Sequence, residues 1–489
     1  MASGARVTVE GWGWRHAGRR LPAVSDLDLT IEPGQRVLLV GASGAGKSTT
    51  LAGIAGLLGG SDEGDQTGRI LVDGRPPELQ RGRIGMVLQD PDAQLVMSTV
   101  GDDAAFGCEN LGLPREEIWA RVRRGLAQVG LELGLDHPTT RLSGGQKQRL
   151  ALAGVLAMGP GLIILDEPTA NLDPDGIAEV RAAVEHVLEV TGATLIVVEH
   201  RTTVWSGLVD RVVALGVGGE GVVADGPPAR VFAEDGAALE AAGLWIPGSV
   251  SPCPRADAVD LGGPALRLDD LAVARERRGP VVRSGITRSV RFGEAVGITG
   301  ANGTGKSTLA LTLAGLLPEA AGAVLASDEL RAGAGPRPSR WRSTQLLTRI
   351  GTVFQDPEHQ FVTSRVRDEL AVGLRALAID RVRVDERVDE LLARLRLDAL
   401  ADANPFTLSG GQKRRLSVAT LLATSPRIIV LDEPTFGQDR RSWGDLVTLL
   451  QQMRAEGGTI VSVTHDAEYL QALGDTVWHL GSVSERSAA

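Results

Sequence analysis

One set of short motifs occurs twice in the 489-residue chain, in the same order in each half. A repeat of this length decides the architecture before any local pattern does, because it indicates that one structural unit is used twice. The repeated motifs are "GASGAGKST" at 41–49 and "GANGTGKST" at 300–308, "LSGGQK" at 142–147 and 408–413, and "LDEP" at 165–168 and 431–434.

The repeat predicts one domain built twice, at 1–245 and 263–489. Residues 246–262 between them contain the Pro, Gly and Ser of a connector. Within each half, short apolar runs such as "RVLLV", "LIILDE" and "TLIVVEH" alternate with helix-length segments. Buried β-rich runs separated by helices predict an α/β domain with a mainly parallel sheet.

The first motif of each half follows an apolar strand and opens a helix, which is the pattern of a P-loop. Its glycines let backbone amides approach phosphates, its lysine meets the terminal phosphates, and the serine after the lysine, Ser48 or Ser307, binds Mg²⁺. All four lysines of the chain lie in the repeated motifs. The predicted nucleotide-binding residues are Gly41, Ser43, Gly44, Ala45, Gly46, Lys47, Ser48 and Thr49, and Gly300, Asn302, Gly303, Thr304, Gly305, Lys306, Ser307 and Thr308.

An acidic pair ends a buried apolar run in each half. Asp166 and Asp432 are predicted to hold Mg²⁺, mostly through water. Glu167 and Glu433 follow them and are predicted to orient and deprotonate the attacking water. A strand-terminal acidic pair alone also suits a helix cap or a surface pair, but the P-loop upstream favours the nucleotide interpretation.

The "LSGGQ" phrase has the S-x-x-Q spacing of a capping box before an apolar helix. Its paired glycines leave the backbone amides of the helix N-terminus open to an anion. Since each half already has a P-loop, this second anion site needs another use. The residues concerned are Ser143, Gly144, Gly145 and Gln146, and Ser409, Gly410, Gly411 and Gln412.

These motifs, with a glutamine after a strand and a histidine ending a later one, resemble the nucleotide-binding domain of ABC transporters, twice over. The resemblance implies two tandem P-loop NTPase domains, each with a parallel-sheet core and a helical subdomain. It also implies a head-to-tail pair, in which ATP at one P-loop is covered by the other domain's LSGGQ, so that one chain replaces an ATPase heterodimer. By the same resemblance His200 and His465 contact the γ-phosphate. Gln89 and Gln355 are implied to bind Mg²⁺ and to position the attacking water.

Two differences between the halves predict unequal sites. Trp14 lies 27 residues before Gly41 and matches the family's adenine-stacking aromatic, whereas Val273 stands at that distance before Gly300. The alternative is that Trp14 packs in the core and that the nearby Trp12 is the stacking residue. "EPTANLDP" at 167–174 resembles the family's D-loop, but "EPTFGQDR" at 433–440 departs from it in a way whose role the sequence leaves open.

The phrases "QDPDAQ" at 89–94 and "QDPEHQ" at 355–360 resemble energy-coupling factor and cobalt/nickel-type importer ATPases. That resemblance implies ATP hydrolysis for vitamin, micronutrient or metal-ion uptake, with an integral membrane coupling subunit and a substrate-capture membrane subunit as partners. The longest uncharged apolar run, at 151–165, has 15 residues and contains Gly-Pro, which is too short and broken to cross a bilayer. We therefore expect a cytoplasmic protein, peripheral on the inner face of the membrane.

Three other functions of related ATPases fit the sequence less well. A tandem ABC factor acting on ribosomes is disfavoured by the short connector and by the net charge of −10, which also argues against nucleic-acid binding. A DNA-repair ABC ATPase is disfavoured because Cys108 and Cys253 lack zinc-ligand spacing. A sugar-importer tandem ATPase commonly has one degraded site, whereas Glu433 and His465 keep the second site's groups.

Overall fold

The computed structural model describes residues 4–42, 44–60, 63–169, 172–257 and 259–481. The chain divides into two compact units. Unit 1 comprises residues 1–250 with 439–441, and unit 2 comprises 251–438 with 442–489. None of the described helices is both long and apolar enough to cross a membrane.

Unit 1 is an α/β domain whose strands and helices alternate along the chain. Its strands are β1 (Val7–His16), β2 (Val24–Ile31), β3 (Arg36–Gly41), β4 (Gly64–Val72), β5 (Ile84–Val87), β6 (Leu162–Asp166), β7 (Thr194–Val198), β8 (Arg211–Leu215) and β9 (Val222–Gly226). Its helices are α1 (Lys47–Ile54), α2 (Pro91–Gln94), α3 (Val100–Asn110), α4 (Arg115–Gln128), α5 (Gly144–Met158), α6 (Pro174–Thr191), α7 (Pro228–Glu234) and α8 (Gly236–Ala241).

The central sheet of unit 1 has the strand order β5-β6-β7-β3-β8-β9. The first five of these strands are parallel and β9 is antiparallel to β8. Strands β6 and β7 are buried at every position, which is why they read as unbroken apolar runs. A second, antiparallel sheet has the order β2-β1-β4, and α3, α4 and α5 share one hydrophobic core beside the central sheet.

Unit 2 repeats this plan. Its strands are β10 (Pro264–Ala274), β11 (Val281–Arg291), β12 (Ala295–Thr299), β13 (Ala321–Ala326), β14 (Ile350–Val353), β15 (Ile428–Asp432), β16 (Thr459–Val463) and β17 (Thr476–His479). Its helices are α9 (Lys306–Leu313), α10 (Asp328–Arg331), α11 (Ser343–Leu346), α12 (Val366–Ala376), α13 (Arg381–Arg394), α14 (Gly410–Thr424), α15 (Arg440–Ala455) and α16 (Ala467–Leu473).

The parallel sheet of unit 2 has the order β14-β15-β16-β12-β17, and the antiparallel sheet has the order β11-β10-β13. Four strands of the parallel sheet match β5, β6, β7 and β3 in order and direction. The predicted fold class, two tandem P-loop α/β domains with parallel-sheet cores and helical subdomains, is therefore confirmed for each unit. The domain boundaries and the head-to-tail arrangement stay predictions.

Candidate functional site

The predicted site residues of each unit lie where parallel strands end. In unit 1 the P-loop follows β3, Gln89 follows β5, Glu167 follows β6 and His200 follows β7. Because neighbouring parallel strands end at the same edge of the sheet, residues far apart in sequence come together there. In unit 2 the same four positions follow β12, β14, β15 and β16.

The P-loop of unit 1 turns sharply between β3 and α1. Gly46 has a φ of 83°, and a Cβ there would lie 2.5 Å from the carbonyl oxygen of Ala23, so only glycine fits. Lys47 Nζ donates to the carbonyl oxygens of Gly41 at 2.8 Å and Ala42 at 3.1 Å. Burial lowers the pKa of Lys47, while the charges of Glu167 and Asp166 oppose that shift.

The P-loop of unit 2 has the same geometry. Gly305 has a φ of 93°, and Lys306 Nζ donates to the carbonyl oxygens of Gly300 at 2.7 Å and Ala301 at 3.0 Å. Thr304 is buried and its hydroxyl donates to the carbonyl oxygen of Ala301. In both units the helix after the loop begins at the lysine, so the next two hydroxyl residues lie in its first turn. Ser43 lies outside the described residues.

Glu167 is held from two sides in unit 1. Gln89 Nε2 donates to its Oε2 at 2.6 Å, and His200 Nε2 lies 2.9 Å from its Oε1. Burial would raise the pKa of Glu167, but the hydrogen bonds and charge of His200, with Lys47 and Gln89, outweigh it and lower the pKa. The pKa of His200 is raised, since its bond to Glu167 outweighs its own burial.

The corresponding carboxylate of unit 2 has other partners, the backbone amide of His465 and the side chain of Thr464. His465 Nε2 lies 3.8 Å from Glu433 Oε1, beyond hydrogen-bond distance. Burial, with the charge of Asp432 beside it, raises the pKa of Glu433 to about 7. The main-chain carbonyl oxygen of Gln355 accepts from Nη2 of the buried Arg414 at 2.7 Å. The two sites therefore differ in the contacts of their predicted general base.

The aspartate and the serine predicted to bind Mg²⁺ lie together in each unit and offer a pair of oxygen ligands. Asp166 is hydrogen-bonded to Ser48, and Asp432 to Ser307. Burial and then the charge of Glu167 raise the pKa of Asp166 to about 6, and burial also raises that of Asp432. Oδ1 of Asp432 is buried and has no hydrogen-bond partner among the described residues. A carboxylate beside a serine hydroxyl, with one oxygen unsatisfied, fits a hard divalent cation.

The LSGGQ phrases form the predicted helix starts. In unit 1 the Gln146 amide donates to Ser143 Oγ at 3.3 Å, and the Ser143 amide donates to Gln146 Oε1 at 2.9 Å. In unit 2 the Ser409 amide donates to Gln412 Oε1 at 2.9 Å. A Cβ added at Gly410 would meet nothing within 4 Å, so local packing does not require glycine there. Open space at this glycine is consistent with close approach of a ligand.

The predicted stacking role of Trp14 is corrected by its burial. Its ring is only 1% exposed, in the core beneath the antiparallel sheet, and offers no open face to a base. Its Nε1 donates to Nδ1 of His16 at 3.2 Å, and Nε2 of His16 lies 3.2 Å from Thr49 Oγ1. His16 is exposed beside the P-loop helix and is the better candidate for a base contact.

The comparison with Val273 changes as well, because Val273 is itself fully buried. Arg275 is exposed and lies 25 residues before Gly300, the distance that separates His16 from Gly41. In the D-loop region, Ala170 and Asn171 lie outside the described residues. At the position that Leu172 holds in unit 1, unit 2 has Gln438, and both side chains are buried.

Two buried carboxylates beside the histidines were missed. Glu199 is 6% exposed and Asp466 is 8% exposed. One feature of the sequence could have revealed them. Each is an acidic residue next to the histidine that follows an apolar run, and the other half has a non-acidic residue at that position.

Comparisons with known proteins match both halves of the chain. Residues 24–170 and 284–436 match the family model described as ABC transporter. The chain is 34% identical over 500 residues to "Putative HMP/thiamine import ATP-binding protein YkoD" of Bacillus subtilis, with 96% of this chain and 89% of that protein covered. It is 32% identical over 496 residues to a "Putative ABC transporter ATP-binding protein" of Methanosarcina acetivorans, covering 91% of this chain and 79% of that protein.

Among solved structures, CbiO1 from Clostridium perfringens, described as part of the ABC transporter complex CbiONQ, is 36% identical. That match covers 48% of this chain and 93% of the other, with a TM-score of 0.42.

Proposed function

The chain belongs to the family of ABC transporter ATP-binding proteins, and on that premise we propose that it powers micronutrient import through membrane-embedded partner subunits. As a member of the family it binds ATP and is an ATPase. The observation that carries the proposal is the 34% identity, over 96% of the chain, to a relative named for HMP/thiamine import. The import of a vitamin, a vitamin precursor or a metal ion is the proposed substrate class.

The roles of the site residues follow from their positions. Lys47 and Lys306 stand at the first helical turn after each P-loop, where they neutralise the terminal phosphates. Glu167 and Glu433 accept the proton of the attacking water, and His200 and His465 bind near the γ-phosphate. Gln89 and Gln355 orient the water and the metal ligands. ATP at one P-loop covered by the LSGGQ of the other half stays a prediction from the resemblance.

Mg²⁺ is the proposed metal of each site. When bound, it neutralises charge on the β- and γ-phosphates. Ser48 with Asp166 and Ser307 with Asp432 would hold it, since both pairs already bring a hydroxyl and a carboxylate together. Burial raises the pKa values of both carboxylates, and a divalent cation would favour their charged form.

Substitutions at His16 and Trp14 are expected to have different effects. His16→Ala should weaken ATP binding at the first site by about 1–3 kcal/mol, the usual worth of base stacking on a ring, with no comparable loss of stability. Trp14→Ala removes a fully buried ring and should lower the free energy of unfolding by about 3–5 kcal/mol. Fluorescent-nucleotide titration and urea unfolding separate the two effects. Weaker ATP binding in a stable Trp14→Phe variant, with His16→Ala unaffected, would restore Trp14 as the base contact.

A surface next to each glutamine loop suits a membrane partner. Val96 is 58% exposed and Val362 is 73% exposed. The backbone beside each is held by a carboxylate, because Asp103 accepts from the amides of Val96 and Met97, and Glu369 from that of Val362. Single exposed apolar side chains are common on protein surfaces, so the reason for the assignment is their place beside the glutamine loop, where the resemblance to importer ATPases implies that the membrane subunit binds. We propose that the coupling subunit binds here.

Copurification from detergent-solubilised membranes of the native host tests this proposal. The wild-type chain should recover a polytopic membrane protein, and Val96→Glu with Val362→Glu should lose it. Val190→Glu, at a 40% exposed valine on α6, is the matched control and should retain the partner. Recovery of ribosomes instead of a membrane protein, or of neither, would contradict the proposed function.

A further inference from the structure

Each unit has a buried carboxylate next to its histidine, but at a different place in the sequence. Glu199 precedes His200, whereas Asp466 follows His465. At the position of Glu199 unit 2 has Thr464, and at the position of Asp466 unit 1 has Arg201. The two halves have therefore exchanged the positions of an acidic and a non-acidic residue around the histidine.

In unit 1 the carboxylate joins two segments of the site. Glu199 Oε1 accepts from the amide of Thr169 at 3.3 Å and from the Thr169 hydroxyl. Its Oε2 accepts from the amide of His200 at 3.0 Å. Thr169 is two residues after Glu167, so one side chain connects the segment that carries the predicted base to the segment that carries the histidine.

In unit 2 the transposed carboxylate makes the same connection. Asp466 Oδ2 accepts from the hydroxyl of Thr435 at 2.9 Å and from Nε1 of Trp443 at 2.7 Å. Its Oδ1 accepts from the amides of Glu468 and Tyr469 at the start of α16. Thr435 is two residues after Glu433, as Thr169 is after Glu167. The helix cap and the tryptophan belong to Asp466 alone, but the bond from the threonine hydroxyl is common to both units.

The glutamates that this connection supports have strained backbones. Glu167 and Glu433 both have a φ of 47°, a left-handed conformation that costs free energy for a residue other than glycine. Their amides donate to the carbonyl oxygens of Val198 at 3.0 Å and Val463 at 2.9 Å. Such a conformation persists only where several contacts determine it together. The threonine-carboxylate bond is a second tie between the same two segments.

We propose that Glu199 and Asp466 are positioning residues for ATP hydrolysis, each holding the histidine segment against the loop that follows the glutamate of its own unit. The transposition carries this inference. Both units have a carboxylate bonded to the threonine after the glutamate, although that carboxylate comes from a different sequence position in each unit, which indicates that the site requires an acid at this point. The inference rests on the proposed function, since it assigns an alignment role within the hydrolysis step.

The test uses the full chain in a Glu433→Gln background, so that turnover reports on the first site. We expect Glu199→Ala to lower the single-turnover hydrolysis rate about 10- to 100-fold, because small misplacements of catalytic groups have effects of this size. The dissociation constant for ATP should change by less than about threefold, since the carboxylate contacts no P-loop residue and meets His200 only at its backbone amide. Thr169→Val should give the same loss, and combining it with Glu199→Ala should add little, as expected for two ends of one interaction.

Rescue by transposition distinguishes positioning from general stability. Glu199→Thr with Arg201→Asp copies the arrangement of unit 2 into unit 1 and should recover the rate to within about threefold of the parent. Arg201→Ala alone is the control for the loss of the Arg201 contact with the Trp245 ring, 5.4 Å away. Melting temperatures of all variants are measured alongside.

Unchanged rates in folded Glu199→Ala and Thr169→Val variants would overturn the positioning role while leaving the proposed function intact. So would rates that fall only in proportion to ATP binding or melting temperature, with no rescue by the transposed pair. If Glu199→Ala does not fold, Thr169→Val and the transposed pair decide the question. A parent chain that binds ATP but never hydrolyses it would overturn both proposals.

Discussion

Glutamine in place of Glu167 is expected to lower the hydrolysis rate of the first site by about 10²–10⁴-fold, the usual contribution of a general base, while ATP stays bound. The carboxylate accepts from Gln89 and lies 2.9 Å from His200 Nε2. An amide keeps the size of the side chain and one acceptor oxygen, but it cannot take a proton from water. Nucleotide should therefore accumulate unhydrolysed at this site.

The measurement requires the two sites to be separated. Glu433→Gln silences the second site, so the residual single-turnover rate of that variant belongs to the first site. The residual rate of Glu167→Gln belongs to the second site. We expect unequal residual rates, because the His465 to Glu433 distance of 3.8 Å is longer than its counterpart. Equal rates in the two single variants would remove the predicted asymmetry. Wild-type hydrolysis in the double variant would show that neither glutamate is the base.

Loss of the P-loop lysine is expected to weaken ATP binding. Lys47→Ala removes a charged donor from the phosphate site, and hydrogen bonds of charged groups are worth about 1.5–3 kcal/mol, so ATP binding should weaken by about 10- to 150-fold. Nζ already lies within 3.1 Å of the Gly41 and Ala42 carbonyl oxygens at the mouth of the loop. Equilibrium titration with a fluorescent ATP analogue measures the effect, in the Lys306→Ala background to isolate one site.

Lys47→Arg is the informative control, because it keeps the positive charge and changes only the shape. The lysine is 7% exposed, and a planar guanidinium is too large for a space lined by P-loop backbone. We expect little recovery of ATP binding. Full recovery by arginine would mean that charge alone matters, and an unaffected Lys47→Ala variant would contradict the assignment of the P-loop.

The order of motifs was sufficient to predict the two α/β units and the loops that form each site. Lys47, Gln89, Glu167 and His200 lie together because parallel strands end at one edge, and apolar runs mark such strands well. Trp14 was misassigned because counting residues ignores the irregular pairing of β1, whose register shifts between Val9 and Trp12 and again before Trp14. Bulges of this kind change which side chain reaches the surface, and no local composition reveals them.

The supporting carboxylates were missed for a different reason. Glu199 is a single charged residue at the end of an apolar run. Its role becomes apparent only when its hydrogen-bond partner Thr169, 30 residues earlier, is known. Hydrogen bonds between distant residues leave no periodic trace in a sequence. Contacts of this type have to be read from coordinates.

The exchanged acid beside the histidine also restricts how the two halves of the gene can recombine. Gene conversion that copies 464–466 whole over 199–201 carries the acid with it and keeps one carboxylate per unit. A breakpoint at the histidine codon instead produces Glu-His-Asp, with two like charges crowded into one buried space, or Thr-His-Arg, with none. Exchange between the repeats at this place therefore keeps one carboxylate per unit only when all three codons move together.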